Sequence, residues 1–406
     1  MIDLPRWALF GYMIEVSCRV RAGNGLPMRG SVRVIVVALG LVGAWPATAG
    51  AVTSTPASSW QTNGRVRAIT VGAHKIFIGG DFTRVRAPGA ASGGAVRNHL
   101  AALSLATGKL MPWNPGANGS VTALRVSANG VTVYIGGNFT VVRGHLRRHL
   151  AAVSATRTRL RMWHANTNGT VYALAVTAKR VYAGGSFTTV KGSSRHRLAA
   201  IATGSTAGLG RWHPNANSTV RALTLSPGGG RVFAGGDFTS VNGRAHPHLV
   251  ALNISTGRVA PYAAHPTGPV KALRTSPASL VAGIGGNGGR VAAYGAVRGG
   301  RRWVALTDGD VQGVAIAGSA VYVGGHFNDY CQGGSGTGNP LVCIHPVARR
   351  KALALSLAHG ALLGWNPVVL GSPVGISAIA ASGGIQIGGA FTKVHGVSQQ
   401  GFARFK

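Results

Sequence analysis

Val181-Tyr182-Ala183-Gly184-Gly185-Ser186-Phe187-Thr188-Thr189-Val190, then Arg197-Leu198-Ala199-Ala200-Ile201, then Trp212-His213-Pro214 is the stretch that decides the fold. It holds two short apolar runs rich in β-branched and aromatic residues, each bounded by Gly, Ser or Pro, which is the pattern of strands joined by turns. The Gly-Gly-x-Phe-Thr core recurs at Gly79-Gly80-Asp81-Phe82-Thr83, at 136–140 around Phe139, at 235–239 around Phe238 and at 388–392 around Phe391. It is shortened at Gly324-Gly325-His326-Phe327, and a worn copy without Phe is read at Gly285-Gly286-Asn287. The second run recurs as His99-Leu100-Ala101-Ala102-Leu103, His149-Leu150-Ala151-Ala152-Val153 and His248-Leu249-Val250-Ala251-Leu252.

Aromatic markers fall at Trp60, Trp113, Trp163, Trp212, Tyr262, Trp303 and Trp365, so the unit is near fifty residues long and is repeated seven times. A period of that length with four short strands, here termed A to D, is the signature of a β-propeller blade. The expected fold class is therefore all-β, a seven-bladed β-propeller. The last copy stops after strand C at residues 401–405, and residues 52–60 form an unassigned D-type strand ahead of the first A. The N-terminal strand is thus expected to close the last blade and to remove two exposed sheet edges. Gly-Gly permits a bulge or a close backbone approach, and Phe is expected to fill the space between blades. Asp or Asn at the x position suits a side-chain bond to the local backbone.

The run 181–190, the block 197–201 and Trp-x-Pro at 212–214 together resemble the delta-sixty repeat family of bacterial β-propellers, over residues 52–406. The resemblance implies an exported or surface protein and little chemistry. The acidic residue common after the LAAL-type run in that family is here Ser104, Ser154, Thr203, Asn253 or Ser356.

The chain has 406 residues, with 41 Lys and Arg against 7 Asp and Glu, a formal charge of +34. With 46 % hydrophobic residues it is not a disordered polybasic tail. Paired-carboxylate catalysis is disfavoured because the one Glu is Glu15. Residues 28–51 read as a secretory signal peptide: Met28-Arg29-Gly30-Ser31-Val32-Arg33, an apolar run at 34–45, then an A-x-A site at 47–49. Residues 1–27 read as a mis-annotated extension, and 52–406 as a single propeller domain with no transmembrane segment. Removing residues 1–51 takes away five Arg and two acids, which leaves 36 basic and 5 acidic side chains, a charge of +31. Cys331 and Cys343 then read as a disulfide stapling a turn-rich loop. No metal or cofactor is expected.

In a propeller the B–C and D–A loops share one face. Seventeen of the 36 cations are assigned to B–C loops, including Arg298, Arg301 and Arg302 of the fifth unit. The candidate ligand-binding residues are Arg97, His99, Arg147, Arg148, His149, Arg195, His196, Arg197, His246, His248, Arg349 and Arg350. A concentrated positive field attracts polyanions, and His adds charge as pH falls toward about 6.5. The expected function is a non-catalytic binding module whose partners are anionic cell-wall polymers or acidic glycans. Sequence-specific nucleic-acid reading is not expected. Two alternatives stand beside this: a channel-mouth lyase or hydrolase using His and Arg, and a structural envelope protein without a discrete ligand. Asn-x-Ser/Thr occurs at Asn118, Asn138, Asn168, Asn217 and Asn253, and Asp308-Gly309-Asp310 reads as a turn.

Overall fold

A computed structural model describes residues 52–406 apart from 287, 336–341 and 372–373. The expected extension and signal peptide lie outside the described residues. Among those described there is no helix long and apolar enough to cross a membrane, and every named element is a strand. Seven times along the chain three strands, A, B and C in chain order, pair antiparallel in the order A-B-C. The A strands are Val66–Gly72, Val121–Val126, Val171–Val176, Val220–Leu225, Val270–Thr275, Val311–Ala317 and Ile376–Ala381. The B strands are Lys75–Gly80, Thr132–Gly137, Arg180–Gly185, Arg231–Gly236, Ser279–Ile284, Ala320–Gly325 and Ile385–Gly389. The C strands are Leu100–Ser104, Leu150–Ser154, Leu198–Ala202, Leu249–Asn253, Gly289–Gly295, Ala352–Ser356 and Phe402–Phe405.

Consecutive sheets share their cores. Phe77 and Leu100 of the first pack with Leu124, Ile135 and Phe139 of the second, so the Phe of Gly-Gly-x-Phe does fill space between sheets. The two glycines have separate reasons. A Cβ on Gly184 would sit 2.6 Å from Val220 Cγ1 of the next sheet, and one on Gly185 would run into the Thr170 carbonyl of its own sheet. The same contact links Gly388 of the seventh sheet to Val66 of the first. In the fifth sheet the register pairs Ala272 with Gly283 and Val270 with Ile284. The worn copy is therefore Gly283-Ile284, two residues before the expected Gly285-Gly286. The first glycine keeps its role there, since a Cβ would meet Val311 Cγ1 at 2.7 Å.

Strand D is regular in the fifth sheet (Arg301–Thr307). In five others it touches strand C through one bridge, at Leu110, Leu160, Leu209, Val259 or Leu362. Strand C of the seventh sheet bridges Ala57 through Arg404, with Ala57 N–H donating to Arg404 O at 2.8 Å and Thr53 N–H to Lys406 O at 3.1 Å. Aromatic side chains on the D segments tie one sheet to the next. The indole N–H of Trp113, Trp163, Trp212 and Trp303 donates to Ser154 O, Ala202 O, Asn253 O and Leu357 O of the following sheet, and Trp365 to Thr53 O.

The fifth sheet corrects one assignment. Its strand C begins at Gly289, soon after strand B ends at Ile284. Arg298 therefore lies between C and D, while Arg301 and Arg302 lie on D, none of them in a B–C loop. The disulfide Cys331–Cys343, with Cα atoms 5.1 Å apart, is present. It staples a hairpin, Asp329–Ser335 against Val342–Ala348, rather than a loose loop. That hairpin adds to strand D of the fifth sheet through Leu306–Cys331 and Thr307–Tyr330.

Candidate functional site

The B–C loops begin at the Gly-Gly turn and end one residue before strand C. That last residue donates its N–H to the Phe carbonyl, as His149 to Phe139 at 2.8 Å, and its carbonyl accepts from the second glycine, Gly137, at 3.0 Å. These two hydrogen bonds hold the residue in a left-handed backbone: φ is 65° at His99, 64° at His149, 63° at Arg197, 66° at His248 and 68° at Lys351, and Gly401 takes the position in the seventh sheet. His99 and His248 also place Nδ1 2.9 and 3.2 Å from the Gly80 and Gly236 carbonyls. These imidazoles belong to the turn.

Two residues earlier, Arg97, Arg147 and Arg195 act as clamps. Each donates Nη1 to the preceding carbonyl (Val96, Leu146, Ser194) and Nη2 to a carbonyl of the thin D segment: Met111 at 3.2 Å, Arg161 at 3.4 Å and Gly210 at 3.0 Å. Arg349 makes the first of these bonds, to Ala348 O. Burial lowers the pKa of Arg97, Arg147 and Arg349. Arg197 reaches Ala216 O at 3.3 Å. His196 and His246 are half-buried, whereas Arg148 and Arg350 are exposed, as are Arg143 and Arg244 at neighbouring loop positions. Among the arginines of this set, Arg148 and Arg350 thus face water, while Arg97, Arg147, Arg195, Arg197 and Arg349 are committed to backbone carbonyls.

A second device braces the loops. Asn118 Oδ1 accepts from the Thr140 and Val141 N–H groups, both at 2.9 Å, and its Nδ2 donates to Thr140 Oγ1. Asn168 and Asn217 repeat this, and Asp308 does so with Asn328 and Asp329. Three of the Asn-x-Ser/Thr matches are therefore structural clips. Asn168→Ala is expected to cost about 1–3 kcal/mol, since two loop N–H groups lose their acceptor. Urea denaturation measures it; an unchanged midpoint would contradict the role.

His149, His164 and His246 have pKa values below the ordinary range. Burial is the first cause in all three, reinforced by Arg148, by Arg147 and Lys191, and by Arg244 respectively, while the Gly137 bond partly opposes it at His149. The unfolded chain therefore binds these protons more readily than the native one. Stability should fall as pH drops from about 7, through the unfolded value near 6.5, to the lower folded values. Thermal melts from pH 7 to 5 test this; a flat melting temperature would contradict it.

The sequence reading missed a polar ring on the A strands. Their second residues, among them Arg67, Tyr172, Arg221 and Lys271, line a cavity reached by all seven A strands. Arg67 Nε lies 2.8 and 2.9 Å from the Asp81 oxygens, and Arg221 Nε lies 2.7 and 2.8 Å from those of Asp237. Lys271 of the next sheet is 3.6 Å from Asp237. Arg65 donates to Ser377 Oγ and Gln312 Oε1. Burial pushes both Asp pKa values up, but the neighbouring cations more than offset it and hold them below the usual carboxylate range. Arg65 falls to about 10 through burial and the adjacent Arg67, partly opposed by Asp81. Asp81 and Asp237 thus pair with cations of their own A strands rather than with loop backbone as expected. The signal lay in the sequence: a charged or polar residue directly after the first apolar residue of each A strand. No three His, Cys, Asp or Glu side chains are placed to hold a metal among the described residues.

No family model matches the chain, and no curated protein matches it in sequence. Solved structures do match in fold. U3-55K superposes with a TM-score of 0.56 at 11 % identity over 86 % of this chain and 99 % of that one. The WD40 β-propeller domain of Doa1 gives 0.53 at 11 % over 86 % and 96 %. The computationally designed Ika8 protein gives 0.51 at 16 % over 85 % and 91 %. The fold is all-β and propeller-like.

Proposed function

We propose that the chain is an exported, seven-bladed propeller of the delta-sixty type that binds anionic envelope polymers or acidic glycans through its B–C loop face, without catalysis. The carrying observation is that Arg143, Arg148, Arg244 and Arg350 are exposed on B–C loops with no carboxylate partner, while all three ion pairs of the described residues lie elsewhere, on the A-strand ring. Ring closure is supported by Val66 packing on Gly388 and by the N-terminal segment bonding to the last strand. Export is supported by the pattern of residues 28–51 and by the disulfide. Binding to polyphosphate, polyglycerol phosphate, hyaluronate and duplex DNA at two salt concentrations tests the proposal. Binding that weakens with salt supports it; absent or salt-insensitive binding to all four removes it.

A further inference from the structure

We infer that the A-strand cavity holds one small tetrahedral oxyanion between Arg125 and Arg274. Both arginines occupy the fifth position of an A strand, in the second and fifth sheets, three residues along from the ring that contains Lys271. Both line the same cavity of about 110 Å³, and none of its lining residues is acidic. Each guanidinium makes one bond to the protein, Nη1 to the preceding carbonyl, Leu124 O or Leu273 O, at 2.9 Å. A guanidinium carries five N–H donors in a planar fork, so four on each side remain for a ligand.

The acids are accounted for elsewhere. Asp81 and Asp237 are held by Arg67, Arg221 and Lys271. Asp308 clips a loop, Asp310 accepts from Gly286 N–H at 2.8 Å, and Asp329 lies on the disulfide hairpin. Arg125 and Arg274 are therefore half-buried like charges lining one cavity without a counterion from the protein. Burial and then Arg274 bring the Arg125 pKa down to about 9, and burial lowers that of Arg274. An oxyanion reverses this cost, because charge-assisted forked bonds replace the lost water. A cavity of this size admits one phosphate-sized group, so the site is distinct from the polymer-binding loops.

Calorimetric titration of the purified protein with inorganic phosphate, at ionic strength held constant with chloride, tests the inference. Saturable binding with a stoichiometry of one is expected. R125Q and R274Q should each weaken it about tenfold or more, and the double variant should abolish it. A variant lacking the four exposed loop arginines should bind phosphate as the parent does, which separates this site from the polymer proposal. Absence of saturable binding by the parent, or retention by the double variant, overturns the inference. If the double variant fails to fold, R125K and R274K decide. They keep the charge but lose the fork, so about tenfold weaker binding supports the site and unchanged affinity overturns it.

Discussion

Trp212→Ala is expected to destabilise the protein by about 3–5 kcal/mol, the range for removing a large buried aromatic. Trp212 is 1 % exposed, meets Tyr182 edge-on with ring centroids 5.1 Å apart, and donates Nε1–H to Asn253 O in the next sheet at 3.0 Å. The variant loses packing against its own sheet and the next one, and the bond to that neighbour, together; the Asn253 carbonyl keeps its bond from Gly257 N–H at 2.9 Å. Trp212→Phe separates the two contributions: it keeps most of the apolar contact, so its cost should be about 1–3 kcal/mol from the lost bond and smaller volume. Urea denaturation of both variants measures the difference. Equal midpoints for Trp212→Phe and the parent would mean that the indole bond contributes nothing. The bond recurs at four other tryptophans, and Tyr262 replaces it with a hydroxyl bond to Gly295 O at 3.0 Å.

Replacing Arg143, Arg148, Arg244 and Arg350 together with Gln should weaken binding to an anionic polymer about a thousandfold at low salt, near 1 kcal/mol for each charge lost. The slope of log affinity against log salt should become shallower by about three to four, one unit for each lost phosphate contact. Stability should change little, because these side chains are exposed. Arg147→Gln should do the reverse. It strips the Leu146 and Arg161 carbonyls of their donor at a cost of about 1–3 kcal/mol, and should leave polymer affinity nearly intact. A binding loss from Arg147→Gln equal to that of the fourfold variant would refute the division into clamps and free cations.

The repeat was legible because each physical requirement recurs. Gly184 and its equivalents must admit the first residue of the next A strand, and Phe187 and its equivalents must fill the gap between sheets. The fifth unit was misaligned because Ile284 stands where the other units have their second glycine. The division among the arginines was not legible. Arg147 and Arg148 are adjacent and chemically identical, and a bend in the loop sends one inward and the other to water. The role of His149 depends on a backbone angle set by two hydrogen bonds across the turn, which no local pattern declares. The A-strand ring was visible as polar residues within apolar strands, but its pairing with Asp81 and Asp237 emerged from strand register alone.

The bonds from Thr53 to Lys406 and from Ala57 to Arg404 impose an order of events on folding. The first described residues find their partners only after the residues up to Lys406 have been made, so they must wait while the whole intervening chain is synthesised. Six sheets can pair with neighbours as they emerge, but the seventh needs both ends. Such long-range pairing is slow and leaves strand edges exposed in the interval. A chain cut short by even the final strand would therefore lose both its end and the anchorage of its beginning.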